Sequence, residues 1–398
     1  MEVVYNNQRL DSLVRKIFFV EELTLGGHQQ KFIVRYRGHL ISDDSAAAYD
    51  QLAEWLKPDG LTPLFRIEEN RQVILLVPGK PAPRPSNPWI NLILFIVTLL
   101  SVLLAGGLYG MDEPLPAEPL KAVLALLFRG LPFAVSLIAI LAAHEFGHYL
   151  AGRYHGVHVT LPYFIPFPFG LFGTLGAFIN MKESPKNRRV LLDIGIAGPL
   201  AGLAVAIPVL LLGLMLSKVQ PLAFPPPPGS AFTLEGNSVI YLVSKFLVFG
   251  KLLPAPLTYG GVSPLFYWIQ FFFTGMPIPA GGLDVMLHPV AWAGWAGLLV
   301  TAMNLIPVGQ LDGGHVMYVL FGSKRMKVVL PIILGILILL GLAWNGWWIW
   351  AFLIYFVGRS YAEPLDQITP LDGRRKILAI IALVAFILTF TPVPLSIF

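Results

Sequence analysis

The sequence predicts a polytopic α-helical membrane protein with about six to seven transmembrane helices, a re-entrant β-hairpin and a small α+β N-terminal soluble domain. Of its 398 residues, 56% are hydrophobic and 13% are charged. The mean hydropathy is +0.69, above what a soluble domain of this length carries. Charge is concentrated at the start, where the first 87 residues hold 11 of the 23 acidic and 11 of the 28 basic side chains. The absence of cysteine excludes disulfides and thiol-ligated metals.

Residues 1–79 are predicted to form the soluble α+β domain. Its expected elements, in chain order, are two strands within 12–41, a helix from a cap near 42–44 to a stop at 58–60, and two strands near 62–68 and 71–77. The opening residues lack the apolar core of a signal peptide, so no leader is expected to be removed. The Pro-rich stretch 80–87 is predicted to link this domain to a membrane domain at 88–398, with its core at 131–323.

Seven apolar runs predict the membrane spans, of which the short fifth and sixth form a hairpin that only just crosses. The runs are 88–110, 131–153, 190–216, 288–306, 328–343, 346–358 and 377–393. If the first helix leaves the cytoplasm, the acidic loop at 112–118 is outside, whereas the basic clusters at 182–189, 324–327 and 374–376 are inside. We therefore expect an integral multi-pass protein of a bacterial inner or thylakoid membrane, with a cytoplasmic N-terminal domain. The net charge of +5 then reports orientation in the lipid bilayer, not binding of nucleic acid.

His144, Glu145 and His148 form a His-Glu-x-x-His pattern inside the second apolar run. On a helix, positions i and i+4 share a face, so both imidazoles can bind one Zn²⁺ while the carboxylate between them reaches its bound water. Ionisable side chains within a membrane are costly unless they pair, bind metal or face water. The pattern therefore predicts one zinc ion per chain, within the membrane and nearer its cytoplasmic face.

Zinc needs a third protein ligand from another span, and two residues compete for that place. Asp312 and His315 follow the fourth apolar run, which is predicted to return Asp312 to the level of the first pattern. Pro307 and Gly309 break the helix before it, and irregular backbone at membrane depth is tolerated only around a cavity or packed protein. On a helix Asp312 and His315 would be i, i+3 neighbours, so either can bind the metal while the other supports it.

Two motifs make the sequence resemble the site-2 protease family of intramembrane zinc metalloproteases. The family's His-Glu-x-x-His and Asn-x-x-Pro-x-x-x-x-Asp-Gly motifs match at His144, Glu145, His148, Asn304, Pro307, Asp312 and Gly313. The likeness runs from about residue 88 to the C-terminus and includes the stretch 197–202. Its general form is closest to the branch found in photosynthetic lineages, and no PDZ-type insertion lies between the motifs.

The resemblance implies an intramembrane zinc endopeptidase that cleaves transmembrane protein substrates in regulated intramembrane proteolysis. By resemblance, His144, His148 and Asp312 bind the zinc ion, and Glu145 is the general base. The resemblance does not reach residues 1–87, whose role the sequence leaves open, as it does the oligomeric state.

Two further polar residues near the second motif have alternative explanations. By resemblance, Asn304 steadies the substrate or the developing oxyanion. From the residues alone, a helix–helix hydrogen bond within the membrane explains Asn304 equally well. His315, if it is not a ligand, is predicted to support the ligands or the substrate.

Residues 161–180 are apolar but too rich in proline and glycine for a spanning helix. An irregular segment in hydrocarbon must pack on protein or line a cavity, which predicts a re-entrant β-hairpin beside the active site. Its edge could hold a substrate peptide in extended form by strand addition. A packed loop without such a role is the alternative.

The remaining features permit several interpretations. The segment 217–287 contains apolar pieces too short to span, which suit interfacial packing better than a gate for substrates. His155 and His158 are better explained as interfacial histidines than as a second metal site. A metal transporter would need ligands repeated along a path, and usually an internal repeat, neither of which is seen. A catalytically silent relative would lack Glu145 or a ligand, whereas the set is complete here.

Overall fold

The structure, a computed structural model, describes residues 7–27, 30–79, 85–109, 114–222 and 233–397. Part of the predicted linker, at 80–84, lies outside the described residues, as do Asp112 and Glu113 of the predicted outer loop and residues 223–232 of the segment 217–287.

The N-terminal domain is a four-stranded antiparallel sheet with two helices. Its elements are α1 (Asn7–Val14), β1 (Phe18–Leu25), β2 (Val34–Leu40), α2 (Ser45–Leu56), β3 (Leu61–Glu68) and β4 (Arg71–Pro78). The strand order β1-β2-β4-β3 leaves β1 and β3 at the edges of the sheet. The Asp44 side chain caps α2 by accepting a hydrogen bond from the backbone N–H of Ala47. The predicted small sheet domain is confirmed, and α1 was not expected.

Nine helices follow in the described part of the chain. They are α3 (Pro88–Gly107), α4 (Pro119–Tyr154), α5 (Arg188–Met215), α6 (Val239–Phe249), α7 (Pro264–Thr274), α8 (Pro289–Asn304), α9 (Asp312–Leu340), α10 (Gly346–Val357) and α11 (Gly373–Thr389). Three of these, α3, α4 and α5, are long and apolar enough to cross a membrane by length and composition. The total of six to seven crossings stays a prediction. The predicted hairpin is present as β5 (Tyr163–Pro166) and β6 (Thr174–Phe178).

Two helices begin earlier than the apolar runs predict. Helix α4 begins at Pro119, because a proline at the first helical position is favourable and only two charged residues, Lys121 and Arg129, interrupt the following stretch. Helix α9 begins at Asp312 and not near 328, because an acidic side chain in the first turn suits the helix dipole. A non-helical residue, Gly322, kinks α9 before the apolar run begins.

The segment between α5 and α8 packs at the far end of α5 from the N-terminal domain. Three short strands belong to it, β7 (Lys218–Pro221), β8 (Thr233–Glu235) and β9 (Leu283–Met286). Strand β7 pairs with β9, and β8 pairs with β10 (Leu395–Ile397) near the C-terminus. This arrangement agrees with the predicted packing of the segment against the membrane domain. A role as a gate for substrates stays an untested alternative.

A buried charged cluster lies inside this segment. Lys245 is fully buried, with its Nζ 3.9 Å from Asp284 Oδ1. The hydroxyl of Tyr241 donates a hydrogen bond to Glu235 Oε1 at 2.6 Å. Two carboxyl groups thus share one ammonium group away from water. Burial, reinforced by the nearby Asp284 carboxylate, raises the pKa of Glu235 to about 7.

This raised pKa predicts a pH-dependent stability. The folded protein binds the Glu235 proton more tightly than the unfolded chain, whose pKa is about 4.3. The resulting stabilisation is complete at pH 4 and is lost as the pH rises through about 7. We expect the melting temperature in detergent to fall less between pH 5 and pH 8 in Glu235→Gln than in the parent. The variant Glu118→Gln, altered at an exposed site, is the control. An equal fall in melting temperature in the parent, Glu235→Gln and Glu118→Gln would contradict the raised pKa of Glu235.

Candidate metal centre

Helix α4 presents two imidazoles one turn apart to the protein interior. His144 and His148 are both buried, and their Nε2 atoms lie 3.2 Å apart. The Nδ1 of His148 donates a hydrogen bond to the carbonyl of Ile194 on α5 at 2.7 Å. This bond leaves the lone pair of His148 on Nε2, which faces His144.

The carboxylate of Asp312 faces both rings. Its Oδ2 lies 3.2 Å from His144 Nε2, and its Oδ1 lies 3.3 Å from His148 Nε2. The chain can return here because two glycines follow Asp312. A Cβ on Gly313 would lie 2.0 Å from the carbonyl oxygen of Leu305, and one on Gly314 would lie 2.3 Å from that of Gly309. The loop after α8 therefore packs directly on the first turn of α9, which places Asp312 against α4.

The spacing of these donor atoms suits a tetrahedral metal ion. Zinc at about 2.0–2.1 Å from nitrogen and oxygen ligands separates neighbouring donors by roughly 3.3 Å. The 3.2 and 3.3 Å separations of the three side chains match that value. Across the described residues, His144, His148 and Asp312 form the one group of three such ligands with donor atoms within 4.8 Å of one another. Three protein ligands leave the fourth position open.

Helix α5 provides the space that the two imidazoles occupy. A Cβ on Gly198 would lie 2.1 Å from His148 Nε2, and one on Gly202 would lie 3.1 Å from His144 Nδ1. The two glycines are four residues apart, as the two histidines are, so the same faces of the antiparallel helices oppose each other. Both glycines lie in the stretch 197–202 of the family likeness, but no pattern in the sequence predicts their steric role.

The other predicted polar residues surround the same point. The carboxylate of Glu145 lies near the backbone N–H of Ile179, just after β6, and both residues line the same cavity. Asn304 Nδ2, at the end of α8, lies 3.3 Å from His144 Nε2. His315 is buried one turn into α9, and its Nδ1 has no hydrogen-bond partner among the described residues. Its nitrogens do not belong to the group of converging ligands, so the geometry favours Asp312 over His315 as the third ligand.

These side chains share a cavity of about 390 Å³. Its walls come from α4, from the residues at and after β6, from the loop between α8 and α9, and from a segment before α11. Gln310 and Leu311 belong to the irregular segment after Pro307 that was expected to lie around a cavity or packed protein, whereas the wall formed by Tyr361 and Ala362 was not predicted. No local pattern marks Tyr361 or Ala362, because their proximity to α4 is set only by the tertiary fold.

His155 and His158 do not form a second metal site in the described structure. His155 Nε2 lies 2.9 Å from Asp193 Oδ2, whereas His158 Nδ1 lies 2.8 Å from Glu183 Oε2. Each histidine thus has its own carboxylate, which agrees with an interfacial role.

Comparison with known proteins identifies the family. Residues 132–343, which include His144, His148 and Asp312, match Peptidase family M50. The chain belongs to peptidase family M50. The site-2 protease resemblance seen in the two motifs is thereby confirmed.

Several plant proteins are similar to this M50 chain over most of its length. It is 28% identical over 340 residues to "Probable zinc metalloprotease EGY2, chloroplastic" of Oryza sativa subsp. indica, covering 83% of this chain and 55% of the relative. It is 30% identical over 332 residues to "Probable zinc metalloprotease EGY1, chloroplastic" of Arabidopsis thaliana, covering 78% and 55%. The chain thus spans about half the length of these relatives. Their names agree with the predicted enzyme class, the zinc cofactor and the photosynthetic-lineage branch.

The geometry of this M50 centre predicts different results for the two candidate third ligands. Asp312→Asn should weaken zinc binding by more than the roughly 10–100-fold that outer hydrogen-bond partners contribute, because it alters a donor facing both imidazoles. His315→Asn should keep about one zinc per chain. Zinc content of the purified proteins after dialysis, measured by mass spectrometry, checks both. Loss of zinc in His315→Asn alone would reverse the assignment.

The close packing of α5 against the two imidazoles predicts that larger side chains on α5 reduce zinc binding. The methyl group of Gly198→Ala would collide with His148 Nε2, so we expect zinc content to fall sharply. Gly202→Ala should have a milder effect, because its methyl group would lie 3.1 Å from His144 Nδ1. Gly335→Ala adds the same group in open space on α9 and is the matched control. Normal zinc content in Gly198→Ala would show that the helices are not in this contact.

Proposed function

We propose that this protein is an intramembrane zinc endopeptidase that hydrolyses peptide bonds within or near transmembrane segments of membrane-protein substrates, in regulated intramembrane proteolysis. One observation carries the proposal: the convergence of His144, His148 and Asp312 beside Glu145 in a shared cavity. The M50 family match and the names of the plant relatives support the same class of reaction.

His144, His148 and Asp312 would hold one zinc ion per chain. Zinc bound in this way lowers the pKa of a water molecule toward about 7 and polarises the carbonyl of the scissile peptide. The His148–Ile194 hydrogen bond keeps one imidazole in the orientation that the ion requires. The Asp312 carboxylate offsets part of the positive charge, which reduces the cost of placing the ion among apolar helices.

Glu145 is the proposed general base. It lies on α4 between the two histidines, and its carboxylate is near the backbone N–H of Ile179. In this position it can take a proton from water at the open side of the centre and transfer it to the leaving amine. A positioned carboxylate of this kind contributes roughly 10²–10⁴-fold to rate.

The amide of Asn304 and the imidazole of His315 are proposed to contact the substrate. Asn304 Nδ2 is close to the metal-facing edge of His144, where a hydrogen-bond donor could steady a developing oxyanion. The unpartnered Nδ1 of His315 is available to a substrate group that enters the cavity. A helix–helix hydrogen bond remains the alternative for Asn304, because its present contact joins α8 to α4.

The β-hairpin supplies a backbone edge for the substrate. Among the described strands β6 pairs only with β5, and residues 177–181, at and after its end, line the cavity. A peptide added to the free edge would be extended, which exposes its amide bonds, whereas a helix surrounds them with its own side chains. Ile179 and Glu145 line the same cavity, so this edge lies beside the proposed base.

The proposed setting is an integral multi-pass protein with its N-terminal domain in the cytoplasm and its substrates in the same bilayer. The three long apolar helices and the basic clusters support it. His144 lies ten residues before the end of α4, or about 15 Å along the helix. A cavity at that depth suits peptide bonds near the membrane surface.

If Glu145 is the general base, replacing it should slow peptide cleavage without affecting zinc binding. Glu145→Gln should lower the rate of cleavage of a synthetic single-span substrate in liposomes by at least about 10²-fold. Its zinc content should equal that of the parent, because Glu145 is not among the converging ligands. Cleavage is followed by gel electrophoresis and zinc by mass spectrometry.

The exposed-site variant Glu118→Gln serves as the control and should cleave at the parental rate. Undiminished cleavage by Glu145→Gln would refute the assigned base. A parent protein that binds no zinc would remove the proposed activity altogether.

A further inference from the structure

The N-terminal sheet is extended by a strand from the other end of the chain. The N–H of Phe65 on the edge strand β3 donates to the carbonyl of Leu365 at 3.0 Å, and the N–H of Gln367 donates to the carbonyl of Phe65 at 3.0 Å. Phe65 and Asp366 thus form a parallel bridge. A sheet edge that would otherwise expose unpaired backbone groups is covered by residues about 300 positions later.

The same residues pair on their other side with the chain that leads into α5. The N–H of Leu365 donates to the carbonyl of Pro185 at 3.0 Å, and that of Asp366 donates to the carbonyl of Lys186 at 2.8 Å. Residues 365–367 therefore lie between β3 and residues 185–187. We call this three-stranded arrangement the seam.

The two segments of the seam that lie outside the N-terminal domain, 365–367 and 185–187, are close in sequence to residues in the walls of the cavity. Tyr361 and Ala362 line the cavity just before Leu365, and Met181 lines it just before Pro185. Three extended residues span only about 10 Å, so a displacement of the seam would also move the residues that form these walls. The N-terminal domain is thus mechanically joined to two sides of the candidate active site.

Side chains of the N-terminal domain fix the seam. Nη1 of Arg66 donates to the carbonyls of Leu365 at 2.8 Å and Pro364 at 3.1 Å. The hydroxyls of Ser45 and Thr369 are 2.9 Å apart and buried. Leu365 and Ile368 also pack against the hydrophobic core of the domain. Apolar contacts and buried hydrogen bonds, in contrast to exposed ion pairs, hold such an interface firmly.

We propose that the N-terminal domain positions the walls of the cavity through the seam, with Arg66 as the principal positioning residue. The proposal rests on the peptidase function proposed above. In this docked structure the candidate ligands and Glu145 face one cavity of about 390 Å³, and we take the docked state as the productive one. Undocking would shift Tyr361, Ala362 and Met181 without touching the metal ligands.

The first test separates substrate binding from the metal centre. Arg66→Met keeps the apolar stem but removes the hydrogen bonds, so KM should rise about tenfold while kcat and zinc content change little. Arg66→Lys should restore part of the loss. Arg71→Met, which removes a cation paired with Glu21 on an exposed part of the same sheet, is the matched control and should leave KM unchanged.

The second test uses the absence of cysteine from the chain. Ser45→Cys with Thr369→Cys would create its only two thiols at neighbouring positions. Oxidation should lock the domain in place with cleavage retained. In the Arg66→Met background, oxidation should return KM to the parental value and reduction should raise it again.

Hydrogen exchange provides a readout that does not depend on cleavage. In Arg66→Met the amides near residues 177–181 and 361–362 should exchange faster than in the parent, and oxidation of the cysteine pair should slow them again. Loss of cleavage in the oxidised pair, or unchanged KM and exchange in Arg66→Met, would overturn the proposal. Failure of the peptidase function itself would be recognised separately, as absence of cleavage by the parent.

Discussion

The close approach of α4 and α5 is the constraint on which the candidate centre depends. Two glycines on α5 leave room for two imidazoles on α4, and the carbonyl of Ile194 orients one of them. A larger side chain at either glycine would occupy the volume that a ring now fills. The two imidazoles and the Asp312 carboxylate are therefore tolerated among apolar helices because packing leaves them in contact with one another.

The sequence reveals this arrangement only in part. Helical periodicity alone places His144 and His148 on one face, because their spacing is local. Asp312 could be preferred over His315 only through the family resemblance, because a third ligand from another helix depends on a tertiary contact. The steric role of Gly198 could not be predicted from the sequence, because the residues around a helical glycine do not show which side chain packs against it. The starts of α4 and α9 were also predicted too late. An apolar run shows where a helix is hydrophobic and not where it begins, and these two helices begin at Pro119 and Asp312, before their apolar runs.

The expectation of a self-contained N-terminal domain was incomplete for a similar reason. Alternation and turns predict four strands and a helix, all of which are present. An edge strand, however, does not specify which segment will cover it. The pairing of Phe65 with Leu365 and Gln367 joins two regions that are about 300 residues apart in sequence. The N-terminal domain is thereby joined to the segment that carries Tyr361 and Ala362 in the wall of the cavity.

The length of α4 has a consequence for the lipid around it. Its 36 residues extend about 54 Å, whereas the hydrocarbon layer of a bilayer is about 30 Å thick. The helix must therefore tilt or stand above the headgroups. Because His144 and His148 lie near one end of α4, a thicker or thinner bilayer would change their depth in the membrane. In the proposed peptidase, hydrophobic mismatch would then select which peptide bonds of a neighbouring substrate helix lie level with the metal centre.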